Sequence, residues 1–144
     1  MKKLLAGAIL AAAPFAAFAD GPVTTDDFTV TATVDPYCEV VNGAPDVSVS
    51  YNPFDSSPVT ATTTTEFNCV MGTNYTINVI TDGTLEGATT TDTLSFTATP
   101  SVTGGTDSDG LTGTETVDIA IVIPAGQNVS VDTYSDTVTV EIGY

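Results

Sequence analysis

Between Asp27 and Val34 the chain alternates apolar and hydroxyl side chains one for one, and from Thr137 to Tyr144 apolar residues again take every second place. Phe28, Val30, Ala32 and Val34 share one face of the first stretch, with Thr29, Thr31 and Thr33 opposite. In the second, Val138, Val140, Ile142 and Tyr144 oppose Thr137, Thr139, Glu141 and Gly143. A period of two is the spacing of a half-buried strand. The intervening sequence is crowded with Thr and Val, whose branched side chains favour pleated surfaces, and shows little helical spacing. The chain therefore reads as all-β.

Further strands are expected at Cys38–Val41, Val47–Tyr51, Val59–Val70, Asn74–Ile80, Asp92–Thr99 and Thr116–Ile123, separated by Gly, Pro, Asn and Asp. Asp35-Pro36 ends the first stretch, since Pro36 has no N–H for a ladder. Residues 116–123 are almost continuously apolar, which predicts a central buried strand. Residues 104–113 read as a loop, and residues 127–144 as a strand region broken near Asp132. Short strands at this spacing predict an antiparallel β-sandwich of immunoglobulin-like class.

The first 19 residues read as a secretory signal peptide: Lys2 and Lys3, an apolar run to Phe18, and an Ala17-Phe18-Ala19 cleavage pattern. Removing 19 residues from 144 leaves 125, enough for one domain with one core. The two basic residues leave with the leader, so all 18 acidic residues face no Lys, Arg or His. Nucleic acid is excluded as a partner, because phosphate binding needs basic side chains. Anionic membranes are excluded for the same reason, and no second apolar stretch suits a span. In an oxidising compartment Cys38 and Cys69 are expected to form one disulfide, closing a loop of about 30 residues and stabilising by roughly 3 kcal/mol.

Catalytic chemistry is scarce. Without His, neither a Ser-His-Asp nor a Cys-His system is possible, and without Lys or Arg there is no phosphate clamp or Schiff base. No enzyme, cofactor or metal centre is expected. Asp107-Ser108-Asp109-Gly110 resembles a fragment of a calcium loop but lacks the later ligands, so a polar surface loop is the plainer expectation. Asn74-Tyr75-Thr76 and Asn128-Val129-Ser130 match the glycosylation pattern, which a bacterial-looking leader makes incidental.

Two amphipathic segments, one near each end, are not blunted by Lys, Pro or a bulge signature, as edge strands normally are. Either the first folds beside the last within one chain, giving a complete sandwich, or it inserts beside the last strand of a neighbouring copy.

"IPAGQNVSVDTYSDTVTVEIGY", residues 123–144, resembles the C-terminal signature of the spore coat protein U domain, through Pro124, Gly126, Gln127, Val129, Tyr134, Asp136 and Thr137. "FTVTATVDPYCEV" is similar to that family's N-terminal segment and first Cys, and "FNCVMGTNYTINVITDG" to its second Cys region. Asp132 stands where the family usually has Gly, and Tyr51-Asn52-Pro53-Phe54 replaces its Phe-Gly pair. The family includes subunits of archaic, Csu-type chaperone–usher pili. The resemblance implies an incomplete immunoglobulin-like sandwich completed by a donated strand. Residues 20–35 would be the donor segment, through Phe28, Val30, Ala32 and Val34, and residues 36–144 the pilin domain. Val138, Val140, Ile142 and Tyr144 would edge the acceptor groove. The implied partners are other copies of the chain, a periplasmic chaperone and an outer-membrane usher. The implied destination is an extracellular adhesive pilus, serving attachment or biofilm formation. The alternative is a complete secreted sandwich that binds carbohydrate, calcium or a surface.

Overall fold

The computed structural model describes residue 21 and residues 24–144. The expected signal peptide at 1–19 lies outside the described residues, as does part of the expected donor segment. Contacts divide the chain into two units between Ala32 and Thr33. In the first unit, residues 24–32 hold no strand and are exposed. The strand expected from Asp27 to Val34 is therefore not formed, because a strand requires a ladder partner and none of the strand pairings involves these residues.

The second unit is all-β. Its strands are β1 (Cys38–Asn42), β2 (Val59–Cys69), β3 (Asn74–Ile80), β4 (Thr84–Gly87), β5 (Thr93–Ser95), β6 (Thr97–Pro100), β7 (Gly104–Thr106), β8 (Glu115–Ile123), β9 (Tyr134–Ser135) and β10 (Thr139–Gly143). They form three sheets, ordered β1-β2-β8-β6, β10-β3-β7 and β5-β4-β9. Every pairing is antiparallel.

The longest ladder joins β2 to β8, from Val59 opposite Ile123 to Phe67 opposite Glu115. Its register puts Thr65 opposite Val117 and Thr63 opposite Ile119 on the core face. One core cluster joins Cys38, Phe67, Cys69 and Val117 of the first sheet to Tyr75 and Ile77 of β3, with Val140 and Ile142 of β10 packed on it. Phe67 meets Tyr75 edge-on, ring centroids 5.0 Å apart, the arrangement their quadrupoles favour. A second cluster gathers Leu94, Phe96 and Ile123, with Leu85, Tyr134 and Val138 against it. Cys38 and Cys69 face each other across β1 and β2 and are joined by a disulfide.

Several elements depart from the sequence expectation. Residues 116–123 are central in their sheet, but only one face is buried: Thr116, Asp118 and Ala120 are exposed, as in an antiparallel sheet with one solvated side. Residues 92–99 split into β5 and β6, which belong to different sheets. Phe96 sits at the break, buried, its N–H donated to the Gly83 carbonyl. The glycine-rich stretch read as a loop contains β7 and a 3-10 turn at Gly110–Thr112. Its glycines are dictated by a close approach: a Cβ on Gly104 would lie 2.6 Å from the Tyr75 carbonyl oxygen. Val47–Tyr51 forms no strand, for want of a paired edge. β4 has no period-two signature beyond Leu85 and was not anticipated.

Candidate functional site

β10 pairs with β3 on one side only, Val140 opposite Val79 and Ile142 opposite Ile77. Its other side carries no strand among the described residues. Val138, Val140 and Ile142 are half-buried, while Tyr144 is exposed and meets Tyr37 edge-on, ring centroids 5.8 Å apart.

Beside this edge a pocket of about 780 Å³ opens into the sandwich. Ile119, Ile121 and Ile123 of β8 line it, so it reaches the hydrophobic core. Val138 and Val140 line it from the β10 side, and Val47 and Val49 from the connection between β1 and β2. A smaller pocket of about 200 Å³ shares Ala44, Val138 and Val140 with it and adds Val40 and Thr65. Val40, Val47 and Val49 are exposed, an apolar cost that a covered surface would not carry.

The connection that forms one wall is anchored by side chains rather than a ladder. Near its start the Pro45 carbonyl accepts the Thr63 hydroxyl at 2.8 Å. At its far end the Tyr51 hydroxyl donates to the Pro124 carbonyl at 3.1 Å and accepts the Gln127 N–H at 2.7 Å. The Gln127 amide in turn mimics a strand neighbour for Ser95, accepting its N–H at 2.7 Å and donating to its carbonyl at 2.9 Å. The turn that delivers Gln127 places Gly126 at φ +77°, a conformation L side chains rarely adopt.

The opposite wall is pinned by carboxylates. Asp132 Oδ2 accepts the N–H groups of Thr89 and Thr90, each at 2.8 Å, and the Thr90 hydroxyl at 2.9 Å. Its Oδ1 accepts the Thr133 N–H at 2.8 Å. These donors, led by the Thr89 N–H, hold the carboxyl well below the usual aspartate range. Asp92 accepts the hydroxyl and N–H of Ser130 at 2.6 and 2.9 Å, which lowers its pKa in the same way. The bend at Asp132 is thus built from a side-chain acceptor instead of a glycine.

Asp107, from the calcium-like stretch, is buried. It accepts the N–H groups of Cys69 at 3.2 Å, Asp109 at 2.9 Å and Gly110 at 2.5 Å. The carboxylate is committed to backbone donors and ties this loop to the end of β2 beside the disulfide. Elsewhere, burial and then the hydrogen bond to Glu115 raise the pKa of Tyr75.

Of the residues singled out in sequence, Val138 and Val140 line the groove, and Ile142 packs beside them on the core. Phe28, Val30, Ala32 and Val34 are exposed and belong to no strand. Sequence reasoning missed Val47 and Val49 as a groove wall, although their alternation was visible. It also missed Ile119 and Ile121 as groove residues, because a buried strand and a strand lining an open cleft have the same apolar pattern. No helix among the described residues is long and apolar enough to cross a membrane.

Antiparallel sheets packed around a core that lies open along one edge strand define an incomplete immunoglobulin-like β-sandwich. The chain belongs to the Spore Coat Protein U domain family, which it matches over residues 24–141. That span takes in the exposed N-terminal segment as well as the sandwich. The family is one of pilus- and coat-type structural subunits. No curated protein matches the chain.

Proposed function

We propose that this chain is the structural subunit of an extracellular fibre and polymerises by donor-strand exchange. Residues 20–35 of one copy supply the strand, and the groove beside β10 of the next receives it. Phe28, Val30, Ala32 and Val34 are the inserted face, and Val138, Val140, Ile142 and Tyr144 the receiving edge. Before assembly a periplasmic chaperone shields the groove, and an outer-membrane usher directs the exchange. The fibre stands on the cell surface and serves attachment or biofilm formation.

The observation that carries this reading is the apolar groove open to the core along the unpaired side of β10. The exposed segment has the matching chemistry: Phe28 and Val30 are 86% and 81% exposed. Burying Phe28, Val30 and Val34 would contribute about 5–9 kcal/mol gross, at about 1.5–3 kcal/mol for each large side chain. Ladder hydrogen bonds add about 1 kcal/mol each. Head-to-tail donation is a heterologous contact, so it propagates instead of closing.

The test uses a chain beginning at Asp35 with its disulfide intact, melted alone and with a peptide of residues 22–35. The peptide is expected to raise the melting temperature, and the peptide carrying Phe28→Asp and Val30→Asp is expected to have no effect. A truncated chain that is already stable and ignores the peptide would make the sandwich complete in itself. A secreted binding module would then replace the fibre subunit.

A further inference from the structure

The chemistry of the groove's mouth is at odds with the charge of its occupant. Asp46 lines the pocket from the β1–β2 connection, and Asp132 and Asp136 line it from the segment leading into β10. Both walls are therefore acidic. Asp132 is held ionised by its four donors, and Asp136 accepts the Thr81 hydroxyl at 2.9 Å. The strand that would occupy the groove is itself bounded by acids, Asp26 and Asp27 before Phe28 and Asp35 after Val34. Beyond residue 19 there is no Lys, Arg or His in either copy to neutralise them.

We infer that strand exchange between copies of this chain is gated by dissolved cations: at low ionic strength the acidic segment is repelled from the acidic mouth, and screening admits it. This rests on the strand-acceptor reading above. The repulsion acts at a distance, over a Debye length of about 30 Å in 0.01 M salt and about 10 Å in 0.1 M. The apolar contacts act only once the strand is seated. Rim charges therefore govern the rate of association, and the buried face governs the rate of release. No specific ion site is invoked; any mobile cation suffices.

The experiment follows self-association of the secreted chain, residues 20–144, as ladders on non-boiled gels against time. Sodium chloride is varied from 10 to 500 mM. Association is expected to accelerate about tenfold between 10 and 150 mM, in line with electrostatic control of encounter. A variant with Asp46→Asn and Asp136→Asn is expected to associate faster than the parent at 10 mM and to show a weaker salt dependence. A control with Glu39→Gln and Asp109→Asn, neither of which lines the large pocket or pairs with a residue that does, removes the same number of charges and should shift the salt response far less than the rim pair. Ladders that grow at a rate independent of salt would overturn the gate while leaving strand exchange intact. A control pair as effective as the rim pair would also overturn it, since the effect would belong to the whole surface. The absence of ladders at every salt concentration, in parent and variants alike, would remove the strand-acceptor reading and the gate with it.

Discussion

Asp132 shows how one side chain can fix a bend of the chain. A glycine permits a bend by lacking a Cβ; Asp132 fixes one by accepting the N–H groups of Thr89, Thr90 and Thr133. The price is a dependence on ionisation. A carboxyl whose pKa is lowered on folding stabilises fully above its unfolded value, about 3.9, and ceases to stabilise as pH falls through its folded value. Asp132 and Asp92 are both lowered, so both contribute at neutral pH and lose that contribution in strong acid. Asp132→Asn is expected to lower the melting temperature at pH 7, and the gap to the parent should narrow as pH is brought below about 3.9. Melting curves between pH 2.5 and 7 check this. A gap that stays constant would mean that shape, and not charge, is what Asp132 provides.

The element that best expresses the tension in this fold is the connection from Gly43 to Tyr51. Val47 and Val49 alternate as a strand should, yet among the described residues the segment is hydrogen-bonded to the sandwich only through Pro45 and Tyr51. Its backbone between those anchors faces a groove, not a neighbour. If a donor strand lies between it and β10, this segment acquires the ladder its sequence anticipates. Amide hydrogen exchange on the chain beginning at Asp35 should then show Val47 and Val49 exchanging rapidly in the free state. Protection should follow addition of the peptide of residues 22–35. Continued rapid exchange with the peptide bound would place the donor against β10 alone. The same segment marks what was legible in the sequence. The strands expected at β2, β3 and β10 form because each has a partner within the chain. At Asp27–Val34 and Val47–Tyr51 period two reported a propensity that the isolated chain does not satisfy. Where Tyr75 crowds its neighbours, Gly104 through its carbonyl and Gly105 through its ring, local composition misled: the glycines were a packing requirement, not a loop signal. Val138 and Val140, legible as one face of a strand, line the pocket, but its depth was not legible, since that depends on where β8 stands.

At the scale of the whole molecule, a sandwich of this size with its core open has little hydrophobic stabilisation to spare. No basic side chain beyond residue 19 is available to form a salt bridge, and the acidic surface repels itself. The Cys38–Cys69 bond then matters more than it would in a closed domain. It spans a sequence separation of 31 and staples edge strand β1 to β2, close behind the point where the exposed segment joins the sandwich. Loss of the bond is expected to cost about 3 kcal/mol through restored freedom of the unfolded chain. If residues 22–35 fill the groove, burial of their apolar face offsets that loss. The two contributions should therefore substitute for one another. With Cys38→Ser and Cys69→Ser together, the chain beginning at Asp35 is expected to be largely unfolded at room temperature by circular dichroism. Adding the peptide of residues 22–35 should recover β structure, with an apparent affinity weaker than for the disulfide-bonded chain, because part of the binding energy is spent on folding. Equal affinities in the bonded and unbonded chains would show that the disulfide leaves the stability of the open sandwich unchanged, and that the groove is held in shape by the ladders alone.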